Sequence, residues 1–164
     1  MSHQHRLGLE KGAAVNTPRL VFVLAVALIF AGACRWFGGP VVDERTDGDI
    51  LATLRVGSDT YREGETVEVA FTIENVSSEP LVLQREDAFV QDIILISHEV
   101  ERTWSQQSGS DLHRLELAPG ESSTIEWVVE DLEAGNYSFL GRWWSAGRRE
   151  MATIVGFDYG SVLH

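Results

Sequence analysis

Residues 66–73 read Thr-Val-Glu-Val-Ala-Phe-Thr-Ile. Val67, Val69, Phe71 and Ile73 fall on one face of this stretch; Thr66, Glu68, Ala70 and Thr72 fall on the other. A period of two with one apolar side is the pattern of a half-buried strand in an antiparallel sheet. The same period recurs outward in both directions. Residues 50–56 set Ile50, Ala52, Leu54 and Val56 on one face. Residues 123–129 bury Ile125, Trp127 and Val129, and residues 137–143 bury Tyr137, Phe139, Gly141 and Trp143. Further strands are expected at 80–84, 91–97, 112–117 and 151–157.

Turn chemistry separates these segments. Glu63-Gly64-Glu65 precedes one strand, Ala118-Pro119-Gly120-Glu121 suits a type II turn, and Ala134-Gly135-Asn136 precedes another strand. Beyond residue 49 no window of a dozen residues has helical periodicity. Seven or eight short strands at this spacing predict an all-β, antiparallel immunoglobulin-like β-sandwich over residues 49–164.

Before the sandwich, the chain changes character. Residues 1–19 are polar and carry Arg6, Lys11 and Arg19 against Glu10. An unbroken apolar run, Leu20 to Ala33, follows and ends at Cys34, the one cysteine of the chain. A basic start, a short apolar stretch and small residues before a break describe a secretory signal. As a helix the run spans about 21 Å, short of the roughly 30 Å hydrocarbon core of a bilayer. Ala31-Gly32-Ala33-Cys34 resembles the lipobox of bacterial lipoproteins, which implies acylation of Cys34 and attachment to a membrane. Plain secretion and an uncleaved N-terminal hydrophobic helix acting as a signal anchor remain open, the latter with Trp36 and Phe37 extending the apolar stretch. Every one of these readings puts the rest of the chain outside the cytoplasm, and the two anchored ones hold it in the cell envelope. Residues 1–34 are thus expected to be signal or anchor. Residues 35–48, with Gly38-Gly39-Pro40 and an acidic continuation, read as a flexible linker.

The 164 residues carry 25 acidic and 13 basic side chains, a formal charge of −12. Past residue 34 the acidic excess deepens, because three of the basic residues and only Glu10 lie before it. Nucleic acid is not an expected partner, since phosphate binding needs concentrated Lys and Arg. A single cysteine excludes an internal disulfide and multi-cysteine zinc sites. His98, His113 and His164 have no further ligand at metal spacing, and no nucleophile, phosphate-loop or metalloprotease motif occurs. No cofactor, no metal and no catalysis are expected.

What remains is binding. Trp143 and Trp144 are adjacent, so in a strand they face opposite ways. One can enter the core; the other is either a partner-binding anchor or packed beside the Arg142 stem. Arg142, Arg148 and Arg149 flank the Ser145-Ala146-Gly147 turn as a small basic spot or as a solvated hairpin tip. Residues 98–111 form the longest polar stretch and hold Trp104, which either contacts a partner or plugs the end of the core.

The order of these motifs resembles the BsuPI-type intracellular proteinase inhibitor domain. Tyr61-Arg62-Glu63-Gly64-Glu65-Thr66-Val67 opens the series and leads to a strand ending at Glu74-Asn75. Leu81-Val82-Leu83, then Asp92 before Ile93-Ile94-Leu95, Thr103-Trp104-Ser105, Leu117-Ala118-Pro119-Gly120-Glu121-Ser122 and Ala134-Gly135-Asn136-Tyr137 follow in order. The family shows a Tyr…Gly-Glu…Val opening, an Asp-bearing strand, a Trp-Ser pair and a Leu-x-Pro-Gly-Glu turn. The likeness spans about residues 54 to 144. It implies an immunoglobulin-like sandwich that binds a protein partner, a serine protease of the subtilisin class among them, with Trp104 and Ser105 in the contacting 98–111 stretch; Arg142 and Trp144 are the partner-binding candidates that the residues themselves give. An accessory sandwich domain of an envelope complex, and a module for carbohydrate or another small ligand, are the other readings.

Overall fold

The structure is a computed structural model that describes residues 39–86, 88–98, 101–109, 112–144 and 150–160. Eight of its strands lie where alternation places them: β2 (Ile50–Val56), β4 (Val67–Asn75), β5 (Leu81–Gln84), β6 (Gln91–Ile96), β8 (Arg114–Leu117), β9 (Ser122–Val129), β10 (Gly135–Trp144) and β11 (Glu150–Tyr159). Three more strands and one helical turn were not legible: β1 (Val41–Asp47), β3 (Thr60–Tyr61), β7 (Glu101–Thr103) and α1 (Trp104–Ser108). The chain is all-β, in a four-stranded sheet β1-β2-β4-β9, a five-stranded sheet β3-β11-β10-β6-β7 and a small pair β5-β8.

The two large sheets face each other. Val67, Val69, Phe71 and Ile73 are all buried, as are Ile50, Ala52, Leu54 and Val56 from β2. Against them lie Tyr137, Phe139 and Trp143 of β10 and Val155, Phe157 and Tyr159 of β11. Aromatic rings bridge the layers: Phe71 and Trp143 at 6.1 Å, Trp127 and Phe139 at 6.0 Å. Tyr137 and Phe139 both stack on Phe157, and Tyr61 meets it edge-on. These offset and edge arrangements are those that the ring quadrupole favours.

Gln91 and Thr153 are polar residues buried in this interior. Gln91 Nε2 donates to the Phe71 carbonyl at 2.8 Å and the Ser123 carbonyl at 3.2 Å, and its Oε1 accepts from Ser123 Oγ at 3.0 Å. One amide thereby ties β6 of one sheet to β4 and β9 of the other, with its hydrogen-bonding capacity used rather than left dry.

Two expectations change. The composition of residues 35–48 suggests a flexible linker, yet Val41–Asp47 is a strand paired with β2 over seven residues, from Val41 opposite Val56 to Asp47 opposite Ile50. The turn is tight because Gly48 takes φ 59°. Sequence obscured β1 because it is an edge strand: only Val41 packs on the core, and the acidic and basic side chains that suggest a solvated tether have structural partners. Asp43 Oδ2 accepts from the Ile154 amide at 3.0 Å, and Arg45 Nη1 donates to the Ala152 carbonyl at 3.1 Å, so β1 reaches the edge of β11 in the other sheet. The sheet is also not purely antiparallel, since β3 runs parallel to β11 over two residues.

The N-terminal hydrophobic helix and Cys34 lie outside the described residues, as do Ser145 to Arg149 and His164. Among the described residues no helix is long and apolar enough to cross a membrane.

Gly141 gives a direct test of how tightly the sheets close. A Cβ there would lie 2.5 Å from Phe71 Cδ2 and 2.9 Å from Thr153 Oγ1. Gly141→Ala is expected to cost about 2–3 kcal/mol in urea unfolding through overpacking. Gly156→Ala, whose nearest neighbours would be 3.8 Å away, is expected to stay within about 0.5 kcal/mol of the parent. Equal stability of the two variants would contradict this packing.

Candidate functional site

The strand β6 alternates as Gln91, Ile93 and Leu95 inward and Asp92, Ile94 and Ile96 outward, which follows from the two-residue period. Asp92 therefore points away from the core, yet it is 1% exposed, because α1 lies over it. A buried carboxylate needs partners on every lone pair. Its Oδ1 accepts from the Ile93 amide at 2.9 Å and from the Ser105 amide at 3.1 Å. Its Oδ2 accepts from Ser105 Oγ at 2.8 Å and from Arg142 Nη2 at 3.3 Å.

This carboxylate organises the surroundings. Thr103 caps α1, its side chain accepting from the Gln106 amide, and Gly109 ends the turn in the left-handed conformation. Trp127 Nε1 donates to Gln107 Oε1 at 3.1 Å, which fastens the far end of α1 to β9. Arg142 extends its other nitrogen, Nη1, toward Glu150 Oε2 at 3.8 Å. Arg85 reaches the same oxygen at 4.0 Å, and its guanidinium lies 4.0 Å above the Trp144 ring centroid. Backbone bonds lace the adjoining segments: Arg85 to His113, Val90 to Leu112 and Trp144 to Val90, at 2.8–3.0 Å. Phe89 stacks on His113 at 5.1 Å.

The four expected partner-binding residues thus meet different fates. Ser105, Arg142 and Trp144 belong to one network, joined through Asp92, Glu150 and Arg85. Ser105 is buried against Asp92, so it holds the fold and has no outward surface to offer. Trp104 is half-buried and packs on the core, in keeping with the plug reading. Trp144 faces outward opposite the buried Trp143, half-covered by Arg85. Residues 98–111 are not one long loop: β7 and α1 occupy 101–108, and residues 99, 100, 110 and 111 lie outside the described ones.

Sequence reasoning names Asp92 only as a motif of the family resemblance and misses Arg85 and Glu150 altogether. Asp92 carried a signal, a lone carboxylate at the head of Ile93-Ile94-Leu95-Ile96. Arg85 and Glu150 carried none, since both are ordinary charged residues beside turns. Among the described residues no group of three or more His, Cys, Asp or Glu is placed to hold a metal ion.

Asp92→Ala leaves Ser105 and Arg142 without their shared acceptor and is expected to cost about 3–5 kcal/mol. Ser105→Ala is expected to cost about 1–2 kcal/mol. In a double-mutant cycle by urea unfolding the two losses should be strongly non-additive. Simple additivity would mean that Asp92 does not seat α1.

Comparison with known proteins gives three results. The family model of BsuPI, described as intracellular proteinase inhibitor, matches residues 54–146. No curated protein matches the chain. Among solved structures, a β-glucosidase from Listeria innocua is similar at a TM-score of 0.42 and 14% identity, over 69% of this chain and 16% of that one. Spo0M, a sporulation control protein from Bacillus subtilis, is similar at 0.41 and 11% identity, over 77% and 51% of the two chains. The CARDB domain of the PF1109 protein from Pyrococcus furiosus is similar at 0.39 and 8% identity, over 76% and 97%. The chain thus spans about a sixth of the β-glucosidase that it resembles. The model match covers more than half of the 164 residues and takes in Asp92, Ser105, Arg142 and Trp144, so the chain belongs to the BsuPI family of intracellular proteinase inhibitors.

Proposed function

We propose that this protein is an exported, lipid-anchored, non-catalytic binding module that inhibits a serine protease of the subtilisin class. The observation that carries this reading is the Asp92-centred network in a chain of the inhibitor family. It ties α1 to β6 and to the end of β10, which the ladder joins to the start of β11. An inhibitor gains from such ties, because a contact surface that is already ordered loses little conformational entropy on docking. Trp104, Trp144 and Arg142 are the side chains to test at the contact, with Ser105 holding the surface from behind.

Export and anchoring rest on residues 1–34, with Cys34 as the lipidated residue, although the family is described as intracellular. The fold is compatible with presentation away from an anchor. β1 starts at Val41, level with Val56, Val69 and Trp127, whereas Trp144 and Glu150 lie at the other end of the strands with Gln91. Six residues of β1 separate the two levels, about 20 Å at the rise of a strand. A second reading, an accessory domain of an envelope complex held by an uncleaved N-terminal helix, draws support from aliphatic side chains exposed on the five-stranded sheet.

Titration of the full chain against subtilisin-type and trypsin-type proteases, followed by residual activity, tests the inhibitor reading. Stoichiometric inhibition of the subtilisin class is expected, weakened about tenfold or more by Trp144→Ala if that ring is an anchor. No inhibition at micromolar protein, with the chain intact afterward, would remove the reading. Mass spectrometry of membrane-extracted protein tests the anchor: a diacylglyceryl cysteine at position 34 as the new N-terminus is expected, and an intact Met1 would favour the accessory domain.

A further inference from the structure

The two large sheets end in four edge strands, β1, β9, β3 and β7. β3 is two residues long, and β7 is three residues that run straight into α1. β1 is turned onto β11 by Asp43 and Arg45. β9 is different. It runs eight residues without Pro, Gly or a positive φ, and among the described residues it pairs with β4 alone. At its start the corner is closed, since Gln91 of the other sheet bonds the Ser123 carbonyl and hydroxyl. Further along, α1 reaches its inner side through Gln107 on Trp127. Edges are usually protected by shortness, Pro, a bulge or charge, and from Thr124 onward only Glu126 is of that kind.

The ladder determines which backbone groups this edge offers. In β4 the even-numbered residues serve β2: the Glu68 carbonyl accepts from the Gly57 amide at 3.3 Å. The odd-numbered ones serve the β9 side: the Asn75 amide donates to the Glu121 carbonyl at 2.9 Å. Thr124, Glu126 and Val128 stand opposite the even-numbered Thr72, Ala70 and Glu68. They form the non-hydrogen-bonded pairs with β4, so their own N–H and C=O groups are directed off the sheet. The Thr72 and Thr124 hydroxyls, 2.8 Å apart, fit the close side-chain approach of such a pair. The side chains of Thr124, Glu126 and Val128 are exposed on the outer face, Val128 by 55%, and Glu68 is exposed opposite Val128.

We infer that residues 124–128 take up an extended segment of a cationic protein partner as a fifth strand of this sheet. Backbone bonds to Thr124, Glu126 and Val128 supply the affinity, as in other cases of strand addition. Side chains on the outer face supply the choice: a Lys or Arg opposite Glu126 and an aliphatic residue opposite Val128. Charge selects this occupant. A second copy of the chain brings another formal charge of −12 and another Glu126 to the same edge, whereas a cationic segment is attracted by both. The edge belongs to the sheet opposite Arg142 and Trp144, so this goes beyond the inhibitor reading and stands without it.

The test uses the full chain and short random-sequence peptides selected on it by display, then remade and titrated by fluorescence anisotropy. Selected peptides are expected to combine β-branched residues with Lys or Arg. N-methylation of every second amide is expected to weaken them about tenfold or more in one phase and little in the other, because only one set of amides faces β9. Glu126→Lys is expected to weaken them about fivefold or more at low salt. Glu44→Lys makes the same charge change on the exposed face of the far strand β1 and is expected to leave binding within about twofold, since screening confines surface charge effects. Thr124→Pro removes an amide that faces off the sheet and spares the β4 ladder, so it is expected to weaken binding about tenfold while urea unfolding stays cooperative. The N-methyl phase and the two lysine variants decide the matter even if that proline unfolds the strand. Recovery of no peptide, indifference to the phase of N-methylation, or equal losses from Glu126→Lys and Glu44→Lys would overturn the proposal. Concentration-dependent dimerisation abolished by Glu126→Lys or Thr124→Pro in sedimentation would overturn it too, by assigning the edge to a second copy.

Discussion

A carboxylate that leaves water must be met on every side, and Asp92 is met by a backbone amide of its own strand, both donors of Ser105 and one nitrogen of Arg142. Much of the molecule's outer architecture follows from that constraint. Satisfying Oδ1 and Oδ2 requires α1 to lie on β6, which requires the chain to turn at Thr103 and end the helix at Gly109. Satisfying the charge requires Arg142 on the neighbouring strand, whose free nitrogen then organises Glu150 and, through it, Arg85 and Trp144. A neutral side chain at position 92 would demand none of this.

The contacts also explain why separated sequence motifs travel together. Asp92 and the Trp104-Ser105 pair, read as two signatures, are the two halves of one hydrogen-bonded seat. The strand ending at Asn75 and the Pro119-Gly120 turn form another such pair. The Asn75 amide donates to the Glu121 carbonyl, the Gly120 amide to the Asn75 carbonyl, and Asn75 Nδ2 to the Leu117 carbonyl. Asn75 is buried and committed to these bonds, so the Asn-Val-Ser sequence at 75–77 is a turn device. Tyr61 and Gly64, which open the series, meet the end of β11 from two sides: Tyr61 packs on Phe157, and the Gly64 amide donates to Tyr159 Oη.

Much of the fold was legible because burial imposes a period. Where one face meets the core, as in residues 67–73 or 123–129, the sequence must alternate, and it does. Legibility ended where burial did. β1 buries little beyond Val41, so its order comes from pairing with β2, which leaves no compositional trace. β3 and β7 are too short to show a period, and α1 is a single turn that a cap and a carboxylate hold in place. At the candidate site Trp144 and Arg142 were legible as types that bind partners, whereas the residues that position them were not. Asp92, Arg85 and Glu150 act through distances that only the folded chain brings about. Ser105 is legible only as a partner-binding candidate, because a serine after a tryptophan in a polar stretch gives no hint of the buried acid opposite.

β1 carries one more implication. β11 is ten residues long, and on its side away from β10 regular ladder pairing covers only Asp158 and Tyr159. The remaining edge is the kind of row that recruits strands from other molecules. Asp43 and Arg45 answer it with side chains in place of a ladder, one accepting from the Ile154 amide and one donating to the Ala152 carbonyl. A carboxylate and a guanidinium thus imitate the acceptor and donor of a neighbouring backbone. The segment whose composition suggests a loose tether occupies two backbone groups of that edge, and its charged side chains are what let it do so.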